Sequence, residues 1–410
     1  MKVCPLDRLD FARVIPSGAL VTWSEGSGEP TALTAKLIAQ QERLKARLFI
    51  GVTLSDTLRE IDPSRFDIST YCTLFRYFDL FERGAVDIRP SHYSRMADLR
   101  PDLMLIQVTL PDRSGQRSLG TVVGHNPAYM ANGTKVIAQE NPNLPWTGGD
   151  ALIGEECIDI LVPAAAPLEL LPPRRPGPVE HAIGGHVARL VPDRATLEFG
   201  IGSIPAAVQQ ALAGKRDLAI HTGLLDEAAV DFIESGAVTN RYRETDPGLV
   251  SAGFLFGTPR LYRYVDRNPA FGMRGSDHIH GARVLATLER FFAINSAIEV
   301  DLTGQVNAEA LNGRYVGAIG GQGDFQRAAL HSPGGRGIVA LPSTAGQHSR
   351  IVARLSGPVT TARADADAVV TEHGIAELAG RSLQERARAM IAIADPQHRP
   401  QLEAALDALA

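Results

Sequence analysis

The sequence has little cysteine and no long apolar run. Its 410 residues include three cysteines, Cys4, Cys72 and Cys157, which lie far apart. None forms a CxxC pair or the Cys/His spacing of a zinc or redox site, so we expect ordinary thiols and no metal. The first residues lack the apolar core of a signal peptide, and no stretch is long enough to cross a bilayer. We therefore expect a cytoplasmic protein.

Neither positive nor negative charge predominates in the sequence. The chain has 41 Lys and Arg against 46 Asp and Glu, a net charge of -5, without blocks of like charge. This distribution indicates neither nucleic acid nor a membrane surface as a partner. Apolar residues make up 44% of the chain, enough for a large core, and the length exceeds that of one ordinary domain. Two domains are expected.

Four segments of the first half correspond, in the same order, to four segments of the second half. The pairs are 18–30 with 194–205, 106–116 with 294–305, 135–138 with 337–340, and 158–162 with 366–370. Short apolar runs alternate with helical stretches in both halves, which is typical of a mainly parallel sheet covered on both faces. The predicted fold class is α/β, with two similar, open, mainly parallel-sheet domains related by this repeat.

A proline-rich segment joins the halves. The run Leu170-Leu-Pro-Pro-Arg-Arg-Pro-Gly-Pro178 cannot continue a helix or sit inside a sheet, so it predicts an extended linker. We assign residues 1–175 to the first domain, 176–188 to the linker and 189–410 to the second domain. Because ligands of open α/β sheets bind beyond the carboxyl ends of the strands, we expect the site in a cleft between the halves.

Two glycine-rich turns stand out in the second half. The run from Ile294 to Leu302 predicts one buried strand, and Thr303-Gly304 a turn; the cluster Gly317-Ala-Ile-Gly-Gly-Gln-Gly-Asp-Phe325 follows. Glycines there allow a close approach of the backbone to a ligand because no Cβ intervenes. The second turn is Gly200-Ile-Gly-Ser-Ile-Pro205, whose amides at a helix start are suited to an anionic group.

These motifs resemble those of the acetyl-CoA hydrolase/transferase family, which includes the 4-hydroxybutyrate and acetate CoA-transferases. The matching patterns are Gly-x-Gly-Glu-Pro at 26–30, Gly-Ile-Gly-x-Ile-Pro at 200–205 and Gly-Gln-x-Asp-Phe at 321–325. The resemblance extends over nearly all of the chain. It implies CoA-transferase-like halves, an acyl-CoA thioester as substrate, a carboxylic acid as candidate acceptor and no permanently bound cofactor. A homo-oligomer is a candidate assembly.

The resemblance also implies roles for individual residues. The backbone amide of Ile319 or of Gly320 would face the thioester oxygen, although Ala318 replaces the first glycine of the family's turn. Glu29 would either face the acyl group or hold two loops as a buried, hydrogen-bonded glutamate, and both alternatives stay open.

The sequence departs from the family at the position of the catalytic nucleophile. The family's pattern Ile-His-Ser-Glu ends in a glutamate that attacks the thioester, giving an enzyme acyl anhydride and then a glutamyl-CoA thioester. The matching residues here are Ile220-His-Thr-Gly223, and the flanks match without a gap. The position of the nucleophile is therefore glycine.

Three alternatives follow from this glycine. Asp226 or Glu227 would move into the vacated space, although first-turn acids that favour the helix dipole are the commoner case. Alternatively, His221 or Glu29 would activate a water and give hydrolysis. In the third, the chain is a catalytically inactive acyl-CoA-binding relative, or a partner subunit of an active paralogue.

We predict an enzyme of this family that acts by hydrolysis or by CoA transfer through a non-standard carboxylate. The candidate catalytic positions are Glu29, His221, Gly223 and Glu227, and the candidate oxyanion and CoA-binding positions are Gly200, Gly202, Ile319, Gly320, Gly321 and Gln322.

Overall fold

The computed structural model describes residues 1–73 and 78–406. The chain divides into two compact units, which we call unit 1 and unit 2. Unit 1 comprises Met1–Pro172 and Ser251–Ile279, and unit 2 comprises Pro173–Val250 and His280–Ala410.

The strands are numbered in chain order. They are β1 (Lys2–Val3), β2 (Leu20–Trp23), β3 (Ala46–Phe49), β4 (Phe66–Thr70), β5 (Asp87–Ile88), β6 (Leu103–Val108), β7 (Arg117–Ser118), β8 (Lys135–Glu140), β9 (Gly148–Gly149), β10 (Leu152–Ile153), β11 (Ile160–Pro163), β12 (Thr196–Phe199), β13 (Ala219–Leu225), β14 (Val250–Leu255), β15 (Phe271–Met273), β16 (Phe291–Asn295), β17 (Glu299–Asp301), β18 (Val306–Asn307), β19 (Ala310–Leu311), β20 (Arg314–Tyr315), β21 (Arg336–Ala340), β22 (Thr344–Ala345), β23 (His348–Ser349), β24 (Ile351–Val352), β25 (Ala368–Thr371) and β26 (Gly374–Glu377).

The helices follow the same convention. They are α1 (Phe11–Val14), α2 (Thr31–Ala39), α3 (Phe78–Glu82), α4 (Asn126–Ala131), α5 (Pro178–Leu190), α6 (Ser203–Leu212), α7 (Ala228–Glu234), α8 (Pro259–Val265), α9 (Ser276–Ile279), α10 (Ala282–Leu285), α11 (Gln322–His331), α12 (Leu383–Ile393) and α13 (Arg399–Leu406). Short 3-10 turns lie at Leu6–Arg8, Gly26–Gly28, Gln41–Arg43, Thr57–Arg59, Tyr93–Asp98 and Glu155–Cys157.

A parallel sheet forms the centre of unit 1. Among the described residues its strand order is β1-β11-β8-β6-β2-β3-β4-β5. All six residues of the central strand β6 are buried, as expected of a parallel strand covered on both faces. On one face, Leu33 and Leu37 of α2 join Val21 and Leu48 in the core.

The sheet of unit 2 repeats this order. Its described strands run β26-β25-β21-β16-β12-β13, so that β25-β21-β16-β12-β13 corresponds to β11-β8-β6-β2-β3 of unit 1. These strands pair in parallel, except that β26 is antiparallel to β25. The predicted fold class, two similar parallel-sheet halves, is confirmed.

The repeat extends to individual hydrogen bonds after β6 in unit 1 and at β17 in unit 2. Asp112 Oδ1 accepts from the backbone and hydroxyl of Ser114 at 2.8 and 2.6 Å, and from the Gln116 amide at 3.1 Å. Asp301 Oδ1 accepts from the backbone and hydroxyl of Thr303 at 2.9 and 2.7 Å, and from the Gln305 amide at 3.0 Å. An aspartate that binds the backbone two residues on fixes such a turn locally, so the same residue pattern gives the same turn twice.

The structure differs from the predicted elements in three places. The run from Ile294 to Leu302 forms two strands, β16 and β17, because β17 leaves the large sheet and pairs with β18 and β24. Most of the predicted linker 176–188 is helix α5, which begins at Pro178, a residue whose fixed φ suits the first position of a helix. Residues 251–279 group with unit 1, where β15 pairs with β9.

No helix in the described part of the chain is both long and apolar enough to span a bilayer. Within residues 1–73 and 78–406, no group of three or more His, Cys, Asp or Glu side chains is arranged to hold a metal ion. The expected absence of a bound cofactor stays a prediction.

Candidate active site

Strand β13 carries the segment Ile220-His-Thr-Gly223, and β12 pairs with it in parallel. Because side chains alternate along a strand, His221 and residue 223 belong to one face and Ile220 and Thr222 to the other. The Thr222 hydroxyl donates to the Phe199 carbonyl at 2.9 Å, which ties β13 to the end of β12. The position predicted for the nucleophile therefore lies near the carboxyl end of a fixed strand.

Gly223 borders the imidazole of His280. A Cβ atom on Gly223 would lie 3.3 Å from His280 Nε2, 3.4 Å from His280 Cε1 and 3.6 Å from Phe325 Cε2. Gly223 itself is half-buried, whereas only 5% of His280 is exposed. The side of β13 on which a side chain of residue 223 would lie is thus bordered by the imidazole of His280 and the ring edge of Phe325.

The same imidazole lies against the glycine turn that precedes α11. A Cβ atom on Gly321 would lie 2.4 Å from His280 Cε1 and 2.8 Å from His280 Nδ1, so the ring can occupy its place only because residue 321 is glycine. Gly320 has a φ of +53°, a conformation that favours glycine. Phe325 stacks on the imidazole with ring centres 4.5 Å apart. The predicted nucleophile position and the predicted oxyanion turn therefore meet at His280.

An acid lies beside the other nitrogen of this histidine. Asp324 Oδ2 is 3.7 Å from His280 Nδ1, and 13% of the Asp324 side chain is exposed. Asp324 belongs to the first turn of α11, where an acidic side chain is stabilised by the helix dipole. Gln322, the first residue of the same helix, donates to Thr361 Oγ1 at 3.3 Å.

His221 is placed differently from His280. It is fully buried, and its Nδ1 lies 3.2 Å from Nη2 of Arg243. The other terminal nitrogen of Arg243, Nη1, donates to the Ile220 carbonyl at 2.7 Å. Since a guanidinium only donates, Nδ1 accepts and the ring proton belongs on Nε2. The ring packs edge-on against Phe291. This arrangement suits a residue that fixes β13 better than a base that contacts substrate.

The turn Gly200–Gly202 follows β12 and leads into α6. Gly202, the N-cap of α6, has a φ of +119°. Burial raises the pKa of the Asp226 carboxyl to about 6, against the lowering effect of the backbone N–H groups of Gly202 and Ala228. The Ala228 amide donates to Asp226 Oδ1 at 3.1 Å. The group that faces the turn at Gly200–Gly202 is therefore the carboxyl of Asp226.

Glu227 is the residue directly before α7. It is 9% exposed, and its side chain makes no capping hydrogen bond to the helix. Asp226, one position earlier, is bound by the amide at the helix start. The two acids thus lie at the beginning of a helix, which is the commoner of the two alternatives drawn from the sequence.

Glu29 is 2% exposed and bound by three hydroxyls of unit 1. Oε1 accepts from Thr34 at 3.0 Å, Oε2 accepts from Thr53 at 2.6 Å, and the Ser55 hydroxyl lies 2.8 Å from both oxygens. These contacts join α2 to the segment after β3. They are the contacts expected of a glutamate that holds two loops together.

Comparison with protein families decides the relationship. A model of the acetyl-CoA hydrolase/transferase N-terminal domain matches residues 7–165, and a model of the C-terminal domain matches residues 257–406. The chain belongs to the acetyl-CoA hydrolase/transferase family. The resemblance drawn from the motifs is confirmed.

Individual relatives agree with this placement. The chain is 38% identical to the 4-hydroxybutyrate coenzyme A transferase of Clostridium kluyveri over 334 residues, 79% of this chain and 78% of that protein. It is 33% identical to the succinyl-CoA:cyclohexane-1-carboxylate CoA transferase of Geobacter metallireducens, with 98% and 94% of the two chains covered. The crystal structure of RipA from Yersinia pestis is similar with a TM-score of 0.93 and 31% identity, covering 100% of this chain and 97% of that one.

The sequence motifs did not identify two polar side chains, those of His280 and Glu25. His280 is distant in sequence from both glycine segments, and only the fold brings it to them. In unit 1, Glu25 Oε2 accepts from the Tyr71 hydroxyl at 2.6 Å and from the Val52 amide at 2.9 Å, and Oε1 accepts from Tyr93 at 3.0 Å. Burial raises the pKa of the Glu25 carboxyl, against the lowering effect of these hydrogen bonds. The only sequence signal for Glu25 was its place in the glycine turn before Glu29.

A buried acid of unit 2 predicts how stability depends on pH. Burial raises the pKa of Glu198 from 4.5 to about 8, although the Asn295 amide donates to both of its oxygens at 3.1 and 3.0 Å. Between these two values the folded protein holds a proton that the unfolded chain has lost. The free energy of unfolding therefore falls as the pH rises through this range.

We expect Glu198→Gln to weaken this dependence. From about pH 5 to about pH 8 the raised pKa removes roughly 2–4 kcal/mol from the wild-type protein. The glutamine has no proton to lose and still offers an acceptor to Asn295. Urea unfolding of both proteins at the two pH values measures the difference, and identical losses in the two proteins would contradict the assignment.

Proposed function

We propose that this chain is an acyl-CoA hydrolase, an enzyme that transfers the acyl group of a CoA thioester to water. Membership of the acetyl-CoA hydrolase/transferase family supports a CoA thioester as substrate. The observation that carries hydrolysis is Gly223, since the position that matches the family's nucleophile has no side chain and borders a histidine nitrogen.

Two of the predicted carboxylates, Glu29 and Asp226, are poorly placed to replace that nucleophile. Glu29 accepts hydrogen bonds from three hydroxyls on its two oxygens. Asp226 is bound by the amide at the start of α7. A carboxylate held by several donors is a weaker nucleophile, because each hydrogen bond stabilises the charge that must attack. Attack by a water needs no such group.

The turn at 319–321 supplies what hydrolysis would need besides water and a base. Attack on the thioester carbonyl places negative charge on its oxygen, and backbone N–H groups aimed at that oxygen stabilise the charge. The turn lies directly before α11, whose first N–H groups have no partner within the helix. Ile319, Gly320 and Gly321 are therefore our candidates for this role.

CoA transfer through a non-standard carboxylate is the second candidate, because the relatives named above are transferases. Glu227, the remaining carboxylate among the predicted catalytic residues, is the one to test first. A transferase of this kind would carry CoA covalently and would depend on an acceptor acid, whereas a hydrolase would do neither.

Incubation of the protein with a panel of acyl-CoAs tests the proposal. We expect free CoA to appear at a rate that added acetate or succinate does not change, and intact-protein mass spectrometry to show no CoA adduct. An adduct with acceptor-dependent acyl exchange would replace hydrolysis by transfer. Saturable CoA binding without turnover on the whole panel would leave the alternative of an inactive relative or partner subunit.

A further inference from the structure

We infer that Arg350 of unit 2 binds a phosphate group of the CoA thioester. It rests on the proposed function for the ligand, a CoA thioester, but not for the fate of the acyl group. The evidence is the fixed backbone of Arg350, the burial of its charge without a partner, and its place at the edge of the sheet.

The backbone of Arg350 is held on both sides. The residue lies between β23 and β24, where its amide donates to the Ser343 carbonyl at 2.8 Å and its carbonyl accepts from the Val300 amide at 2.9 Å. The next residue, Ile351, pairs with Val300 and is buried in the core of unit 2. Because successive side chains of an extended segment point to opposite sides, the Arg350 side chain lies on the side away from this core.

The guanidinium of Arg350 is half-buried, and no acid in the described ranges 1–73 and 78–406 pairs with it. Burial lowers its pKa, and no neighbouring carboxylate raises the pKa in return. Arg327 shows the usual arrangement, since Asp365 lies 2.7 Å from its guanidinium and raises the pKa of that group. Because a charge removed from water without a partner costs free energy, the position of Arg350 indicates a ligand of opposite charge.

Two acids of neighbouring segments bind neutral donors instead of this guanidinium. Glu299 Oε1 accepts from the amide and the hydroxyl of Ser356 at 2.7 and 2.9 Å. Glu372 accepts from the amide and the hydroxyl of Ser343 at 2.9 and 2.6 Å. The fold thus satisfies these carboxylates locally and leaves the charge of Arg350 for a group from outside the chain.

The distance along the sheet edge favours a phosphate over a carboxylate of the acyl group. Strand β13, which carries Gly223, and strand β21, which leads to Ser343, are separated by β12 and β16. Paired strands lie about 4.8 Å apart, so three spacings place β13 and β21 roughly 14 Å from each other. An acyl carboxylate lies only a few bonds from a thioester held at Gly223, whereas the pantetheine arm separates the phosphates from it.

The chemistry of the side chain agrees with this assignment. A guanidinium presents its N–H donors in a plane that matches the oxygens of a phosphate, and it stays charged even where burial lowers its pKa. Lysine would offer the charge without this planar geometry.

Binding of CoA, dephospho-CoA and pantetheine, measured by calorimetry, tests the assignment. CoA has all its phosphates, dephospho-CoA lacks the 3′-phosphate, and pantetheine has none. We expect Arg350→Gln to weaken CoA binding about 10–100-fold, because hydrogen bonds between charged groups contribute that much, and to change pantetheine binding less than about twofold. A loss shared by dephospho-CoA assigns the pyrophosphate and a loss for CoA alone the 3′-phosphate, and either result supports the inference.

Arg350→Lys and Arg388→Gln are the comparison variants. We expect the lysine to recover part of the affinity for CoA, and Arg388→Gln, which alters an exposed arginine of α12, to keep the wild-type affinity. Thermal melting distinguishes binding from a structural role. Since the guanidinium has no partner in the described part of the protein, Arg350→Gln should melt at or above the wild-type temperature.

The outcomes separate this inference from the proposed function. If Arg350→Gln folds and binds CoA as tightly as the wild-type protein, or if pantetheine loses as much affinity as CoA, the inference is overturned. A fall in kcat/KM for succinyl-CoA but not for butyryl-CoA would assign the guanidinium to the acyl carboxylate and overturn it as well. If CoA binding depends on Arg350 but no thioester of the panel releases CoA, the proposed hydrolysis fails while the phosphate site stands.

Discussion

Gly223→Glu combined with His280→Ala is expected to produce an enzyme that carries CoA on its own carboxyl group. Gly223 is not among the residues with positive φ, so its backbone accepts a side chain. A Cβ atom there would lie 3.3 to 3.6 Å from His280 and Phe325, and removal of the imidazole relieves the tighter of these contacts. The glutamate would then occupy the position that matches the nucleophile of the family's transferases.

The measurement is intact-protein mass after incubation with an acyl-CoA, together with acyl exchange to acetate or succinate. We expect a CoA thioester adduct and acceptor-dependent exchange in the double variant, and neither in the wild-type protein. Gly223→Gln combined with His280→Ala is the matched control, since the amide is similar in size but does not attack a thioester. A folded double variant that binds CoA and forms no adduct would show that residue 223 does not reach the thioester.

Glu29→Ala is expected to lower the stability of the protein by about 3–5 kcal/mol. The substitution leaves the hydroxyls of Thr34, Thr53 and Ser55 without their common acceptor and opens a cavity at a site that is 2% exposed. A buried hydroxyl that loses its partner costs about 1–3 kcal/mol. Urea unfolding measures the loss.

Glu29→Gln provides the control for this effect. The glutamine keeps one acceptor oxygen, so we expect a smaller loss of stability than with alanine, and hydrolysis should persist in the folded fraction. If Glu29→Ala instead unfolds like the wild-type protein but loses kcat, the glutamate acts on the substrate and does not hold the loops.

The repeat could be predicted from the sequence because it is carried by local signals. Strand β6 and strand β16 appear as short apolar runs, and each is followed by an aspartate-based turn whose hydrogen bonds span only a few residues. Patterns of this kind depend on neighbours in the chain, which a sequence displays directly. The strand order then follows from repeating the same unit.

The assignment of residues 176–188 to the linker and the prediction of a single strand were wrong for a different reason. Pro178 ends an extended run, but proline also suits the first turn of a helix, and the proline-rich pattern does not show that the helix starts there. The residues after Asn295 are apolar like those before, yet β17 pairs with β24, a partner far along the chain. Apolar character alone does not say which sheet a strand joins.

The site residues show the same limit. Gly223 and the turn at 319–321 could be identified as departures from or matches to known motifs, whereas His280 belongs to no motif. It lies beside Gly223, Gly321 and Asp324, which belong to two other segments of unit 2. Such contacts exist only after the chain has folded.

The shared strand order of the two units allows equivalent positions in them to be compared. Gly51 lies three residues beyond Leu48, which pairs with Val21, and Gly223 lies three residues beyond Ile220, which pairs with Leu197. The two glycines are therefore equivalent. A Cβ atom on Gly51 would meet the carboxyl of Glu25 at 2.2 Å, and one on Gly223 would meet His280 at 3.3 Å.

Each half thus has a strand end without a side chain and a polar group from another segment in its place. Neither exchange alters the hydrogen-bonded ladder of the sheet, because only side chains differ. The same scaffold can therefore carry different groups at its strand ends, because the side chain at one position can be supplied by a neighbouring segment while the sheet stays the same.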